Sequence, residues 1–165
     1  MLLAVCTGVV GTGAPAAGAA VPPRTLAEKQ IDLAVFTLIN TERLLHGLPL
    51  VRRSNQLELS ARRHNLTMAR FNQMSHQLPR EPYFGRRILN AGYRWDYAGE
   101  NIAWNSVMTK GGALLLQRLM YNERPPADEH RQNILSRNYR NVGVDVYFDR
   151  KHHKLWLTTD FGHHM

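Results

Sequence analysis

Apolar residues recur near every third or fourth position over Leu26–Leu45, at Ile31, Val35, Leu38, Ile39 and Leu45, and Gly47 supplies a stop. That period predicts an amphipathic helix. A second helix is predicted after Ser54, whose hydroxyl suits an N-cap, with Leu57, Ala61, His64 and Met68 on its buried stripe and Arg62-Arg63 turned mostly away. Residues 84–91 read as a short helix closed by Gly92. Residues 113–121 read as an apolar helix that continues to Glu123 and cannot pass Pro125-Pro126, because proline has no N–H to donate. Asp128 or Glu129 starts a last short helix through Leu135. The period then changes to two: residues 142–148 and 155–161 alternate as strands joined by a charged hairpin. Helices first and paired strands last predict an α+β fold in which helices cover a central antiparallel sheet.

A chain of 165 residues with 44% hydrophobic content is enough for one folded domain, and no repeat, linker or low-complexity stretch divides it. Its beginning is different in kind. Residues 1–20 carry no charged side chain, run apolar from Leu2 to Val10, and turn to small residues and proline through Ala20, which reads as an export signal cleaved near Ala17-Gly18-Ala19. An apolar run of about nine residues falls short of the ~20 that a bilayer requires, so no transmembrane segment is expected in the mature form. Residues 21–32 are a lead-in and helix start. Cys6 is the only cysteine, and its removal with the signal leaves neither a disulfide nor a cysteine-ligated metal.

All 21 Lys and Arg and all 13 Asp and Glu lie beyond residue 20, so the formal +8 falls on the mature domain. The cations come as scattered pairs, such as Arg52-Arg53, Arg62-Arg63 and Arg86-Arg87, which is first of all a solvated surface. Its functional reading is attraction to anionic lipid or an acidic cell-wall polymer outside the cell. Nucleic acid is not an expected partner, since no zinc finger, RNA-recognition word or basic-aromatic alternation is present.

Two polar words flanked by apolar residues carry the candidate chemistry: Gly99-Glu100-Asn101-Ile102 and His130-Arg131-Gln132-Asn133-Ile134-Leu135. His76, after Met74-Ser75, and Glu123, after Tyr121-Asn122, bring the set to two histidines and two glutamates, all placed near element termini. Such groups suit Zn²⁺ or another divalent cation at roughly 2.0–2.2 Å with positions left for water. Alternatively a glutamate hydrogen-bonded to a histidine fixes its tautomer as a general base requires, or the four simply satisfy one another as a polar network. His64, alone on an apolar stripe, reads as a core residue. Nucleophilic catalysis lacks a Gly-x-Ser-x-Gly elbow, and Ser75 is only sequence-adjacent to His76, with Ser106 the other serine considered. Tyr93, Trp95, Tyr97 and Trp104 around the Gly-Glu-Asn word read as core or as cleft wall, and the pairs His152-His153 and His163-His164 as a solvated hairpin and a frayed terminus.

Leu38-Ile39-Asn40 with Arg43, Ser75-His76, Arg87, Ala91-Gly92-Tyr93, the two polar words, Val142-Gly143-Val144 and Asp160-Phe161 occur in an order that resembles the CAP superfamily. That group is named for cysteine-rich secretory proteins, antigen 5 and pathogenesis-related proteins. The cysteine-free form over residues 33–162 resembles its bacterial, SCP-like extracellular branch. The resemblance implies an α-β-α sandwich with a cleft lined by two histidines and two acids. His76, Glu100 and His130 fit three of these. Glu123 fits the second acid, with Asp128 and Glu129 as alternatives. The function so implied is a secreted binding module for a lipid, cell-wall glycan or protein partner whose cleft holds a divalent metal weakly. The competing class is a metal-assisted hydrolase in which a glutamate activates water.

Overall fold

Thr25 converts the extended lead-in into a helix. Its hydroxyl accepts the Glu28 N–H at 3.1 Å while the Glu28 carboxylate accepts the Thr25 N–H at 2.7 Å, satisfying two otherwise orphaned donors. The helix that follows, α1 (Leu26–Leu45), buries Ile31, Val35 and Ile39 on the predicted stripe. The structure is a computed structural model describing residues 21–164, and the export signal expected over residues 1–20, with Cys6, lies outside the described residues.

Gly47 turns the chain at φ +62°, and Arg52–Arg53 form a two-residue strand, β1. Ser54 then caps α2 (Asn55–Phe71), accepting the Leu57 N–H at 3.3 Å. The remaining elements are α3 (Phe84–Asn90), β2 (Trp95–Asn105), α4 (Lys110–Tyr121), α5 (Glu129–Leu135), β3 (Asn141–Asp149) and β4 (Lys154–His164). The sheet order is β1-β3-β4-β2, with β3, β4 and β2 antiparallel and β1 parallel to β3, so β2 is an outer strand. Helices α1, α4 and α5 pack on one side, α2 and α3 on the other, which makes the α-β-α sandwich.

The period of two sorts the strand residues between these layers. Val142, Val144 and Val146 of β3, and Leu155, Leu157 and Phe161 of β4, meet α1 and α4 in one apolar cluster. Gly143, Asp145, Trp156, Thr158 and Asp160 point to the α2 side. There the Leu57 and Glu58 backbone occupies the space a Cβ on Gly143 would need, so only glycine lets α2 approach this closely. Asn65 of α2 donates to Asp145 at 2.8 Å and accepts from Thr158 at 2.7 Å.

Several expectations change. Arg62 does not turn away: it is buried, within 3.4 Å of Glu28 and 3.6 Å of Asp145, and stacked 4.9 Å over Tyr147, because counter-charges and a ring face await it under α2. Helix α4 starts at Lys110, where Thr109 accepts the Gly112 N–H, and ends at Tyr121, leaving Glu123 outside. Strands β1 and β2 carry no apolar alternation and were not foreseen; β2 places Glu100 in mid-strand rather than near a terminus. His163 and His164 are not frayed, since β4 runs through them and pairs them with Tyr97 and Trp95.

Candidate functional site

Strand geometry sends neighbouring side chains to opposite faces, and this divides the Gly-Glu-Asn word. Glu100 faces α2 and α3. Its Oε1 meets His76 Nδ1 at 2.8 Å and its Oε2 is bonded to the Arg87 guanidinium, whose other nitrogen donates to the His76 carbonyl at 2.9 Å. The Glu100 side chain is buried while the His76 ring stands 53% exposed, so a buried acid holds an exposed imidazole.

Asn101 faces the other layer. It donates to the His130 carbonyl at 3.0 Å and accepts from Asn133 at 2.8 Å, while Asn133 in turn accepts from the Tyr139 hydroxyl at 3.2 Å. The two polar words are thus fastened to each other by their asparagines. Gly99 is required by the same contact, because a Cβ there would overlap the Tyr139 hydroxyl and the Asn133 amide. Arg43 closes the far end of α5, donating to the Ile134 and Ser136 carbonyls at 2.7 and 3.0 Å that the helix leaves unpaired.

His130 Nδ1 meets Glu123 Oε1 at 2.5 Å, and Glu123 Oε2 accepts the His130 N–H at 3.1 Å. Leaving α4 early lets this carboxylate cover the first turn of α5. Asp128 accepts from Gln132 instead, and Glu129 is exposed, so of the three acids Glu123 is the one against His130. The two histidine–glutamate pairs are therefore anchored to consecutive residues of β2, His76 by the Glu100 side chain and His130 by the Asn101 side chain.

Around Glu100 the α2 side is polar and buried. His64 Nδ1 lies 3.0 Å from Glu81, and its Nε2 lies 3.9 Å from Glu100. Burial acts to raise the Glu100 pKa, yet the His76 hydrogen bond, the nearby His64 and Arg87 together hold it below the usual carboxylate value. Its cross-strand partner Asp160 behaves in the opposite way. Burial first, and the Glu100 charge second, push the Asp160 carboxyl well above its ordinary range, against Ser60 and Arg87. Two adjacent buried carboxylates cannot both ionise, and Arg87 and the imidazoles settle which one does.

Glu81, Arg87, Asn101 and Asn133 are positioning residues outside the predicted set of two histidines and two glutamates, and His64, read from sequence as core, is buried beside them. The asparagines stood in the polar words themselves, where a period-two reading would have assigned Glu100 and Asn101 to opposite faces. Ser75 spends its hydroxyl on the Gln77 carbonyl at 2.7 Å, and neither it nor Ser106 is bonded to His76 or His130. Tyr93 is core, whereas Tyr97 and Trp104 are exposed.

Histidine Nδ1–carboxylate pairs also occur at His152–Asp149, 2.6 Å, and His163–Asp96, 2.8 Å, so that contact alone does not mark a site. Among the described residues no three His, Cys, Asp or Glu side chains group to hold a metal ion. The donor set that remains consists of His76 Nε2 and His130 Nε2. Each is free of hydrogen-bond partners among the described residues, and each belongs to a ring whose Nδ1 is held by a carboxylate. An imidazole held this way can offer Nε2 to a divalent cation or to a hydrogen-bonding ligand, but among the described residues neither ring has beside it the further donors that a closed structural centre requires.

Residues 36–161 match the family model described as the cysteine-rich secretory protein family, CAP. The fold is similar to that of an extracellular SCP-domain protein from Bacillus anthracis, with 28% identity and a TM-score of 0.70 over 86% of this chain and 44% of that one. It is also similar to an outer surface protein of Borrelia burgdorferi, with 14% identity and a TM-score of 0.71 over 83% of this chain and 95% of that one. A cysteine-rich secretory protein of Staphylococcus aureus shares 18% identity with a TM-score of 0.60 over 84% and 40% of the two chains. The chain thus spans less than half the length of the Bacillus and Staphylococcus proteins. No curated protein matches it significantly.

Proposed function

The chain belongs to the cysteine-rich secretory protein (CAP) family, and from that premise we propose that it works outside the cell as a binding module for a lipid, cell-wall glycan or protein partner. In this role His76 and His130 offer Nε2 to a weakly held divalent cation, with Zn²⁺ the best match to imidazole donors. Glu100 and Glu123 hold the two rings from behind. The extracellular setting is supported by relatives described as extracellular or outer-surface proteins and by the export signal read from residues 1–20. No helix among the described residues is long and apolar enough to cross a membrane.

One observation carries the choice of the histidines over the glutamates as the groups that meet a ligand: every oxygen of the two glutamates already accepts a hydrogen bond. Glu100 uses its pair on His76 and Arg87, and Glu123 uses its pair on the His130 ring and the His130 N–H. A glutamate that activates water itself needs an oxygen lone pair turned toward that water, whereas a ring held at Nδ1 keeps Nε2 available to a ligand. Here the carboxylates are committed to positioning.

The test is a Zn²⁺ titration of residues 21–165 as wild type, as His76→Ala with His130→Ala, and as His152→Ala with His163→Ala. Affinity should fall at least tenfold in the first double variant and stay unchanged in the second. The same proteins are assayed on peptide, ester and glycan substrates and for retention on anionic vesicles and cell-wall material. Turnover that His130→Ala abolishes with the fold intact would replace the binding reading with the hydrolase.

A further inference from the structure

Beside the His76–Glu100 pair, with Arg87 in the wall between, a cavity of about 680 Å³ opens between α2, the loop over residues 79–82 and α3. That is the size of a small-molecule site. Arg63, Thr67 and Arg70 stand at i, i+4 and i+7 of α2 and so line it from one helix face, with Phe71, 44% exposed, beside them. The opposite wall brings Arg80 between Pro79 and Pro82. Arg80 sits at φ +64°, a left-handed conformation that costs a long side chain energy and recurs where a chain presents a group for use.

The electrostatics of the lining are one-sided. Among the described residues none of Arg63, Arg70 and Arg80 has a carboxylate within 4.0 Å: Arg63 makes one long contact, 3.4 Å, to the Asn90 carbonyl, and Arg70 lies 5.8 Å over the Phe71 ring. The acid on the wall, Glu81, is turned to His64 and to Arg87. Uncompensated guanidinium groups present forked donors to carboxylate or phosphate oxygens, while Phe71, Pro79 and Pro82 offer apolar surface within the same cavity.

We propose that this cavity binds an anionic amphiphile, its acid head held by Arg63, Arg70 and Arg80 and its apolar body lying on Phe71 and the two prolines. The head is a phosphate or carboxylate. The chain it carries is what distinguishes the ligand from a free anion. The cavity adjoins the His76–Glu100 pair through Arg87, which lines it and holds Glu100, but binding there does not rest on a metal at the histidines.

Dodecyl phosphate, kept below its micelle concentration, is the probe, titrated by calorimetry beside inorganic phosphate and dodecyl maltoside. Wild type should bind dodecyl phosphate at least tenfold tighter than either, with affinity falling as salt rises. The exchanges Arg70→Gln with Arg80→Gln, and separately Phe71→Ser, should each weaken binding at least tenfold with circular dichroism and melting temperature retained. Three results would overturn the proposal: unchanged affinity in both variants, equal binding of either half-ligand, or a loss in His130→Ala as large as in the arginine variant, which would put the probe in the histidine site.

Discussion

Beneath α1, strand β3 presents Val142, Val144 and Val146; beneath α2 the same strand presents Gly143, Asp145 and Tyr147. Over most of β3 and β4 both faces are shut off from water. The α1 side is filled by packing, which is non-directional and tolerates exchange of like volumes. The α2 side sets among apolar residues such as Leu57, Met68, Ile88 and Trp156 a buried polar group of Asn65, Asp145, Thr158, Asp160, Glu100, His64 and Arg87, each of which needs a partner at a set distance. Such a layer is costly to maintain, and it is the one that delivers Glu100 to His76. The contrast teaches that the sheet serves as support on one side and as a mount for imidazoles on the other.

The largest effect should come from emptying the apolar side. Phe161→Ala removes a fully buried ring stacked on Tyr139 and should cost about 3–5 kcal/mol in denaturant unfolding, by the same amount from pH 5 to pH 8. Arg87→Met strikes the polar side and should cost about 3 kcal/mol, because it strands the buried Glu100. This loss should depend on pH. The Glu100 pKa is held down in the folded protein, so its contribution is present above the unfolded carboxylate value and disappears as pH falls through the folded one. The deficit of the variant should therefore shrink in acid.

Glu42 gives the opposite slope from the α1 side. Burial raises it to about 7, against the hydrogen bond from Gln117. The folded carboxyl keeps its proton after the unfolded chain has released it, so stability is lost as pH rises from the unfolded value to about 7. Glu42→Gln should flatten that part of the profile, with a gain on the order of 1–2 kcal/mol at pH 8. Smallest is Asn101→Ala, at about 1 kcal/mol, since it removes two hydrogen bonds that tie α5 to β2. Its sharper readout is weaker Zn²⁺ binding through a displaced His130.

The apolar side was legible in the sequence because its residues repeat: Ile31, Val35 and Ile39 at helical spacing, and Val142, Val144 and Val146 at strand spacing. The polar side was not. Strand β2 reads as Trp95 to Asn105 without alternation, since Glu100 and Ile102 share one buried face while Asn101 fills the other. Arg62 looked like half of a solvated pair, and only the fold supplies Glu28, Asp145 and Tyr147 around it. The four candidate residues could be named from the words that contain them. How they pair was beyond the sequence, because Glu123 meets His130 only after α4 stops at Tyr121.

The most direct test of the mounted imidazoles is a long-range ¹H–¹⁵N correlation spectrum of the histidine side chains at pH 8, recorded before and after addition of Zn²⁺. His76 and His130 should carry their proton on Nδ1, toward Glu100 and Glu123, with bare Nε2 resonances that move together on Zn²⁺ addition. Protons found on Nε2 in these two rings, or Zn²⁺ shifts confined to His152, His153, His163 and His164, would contradict it.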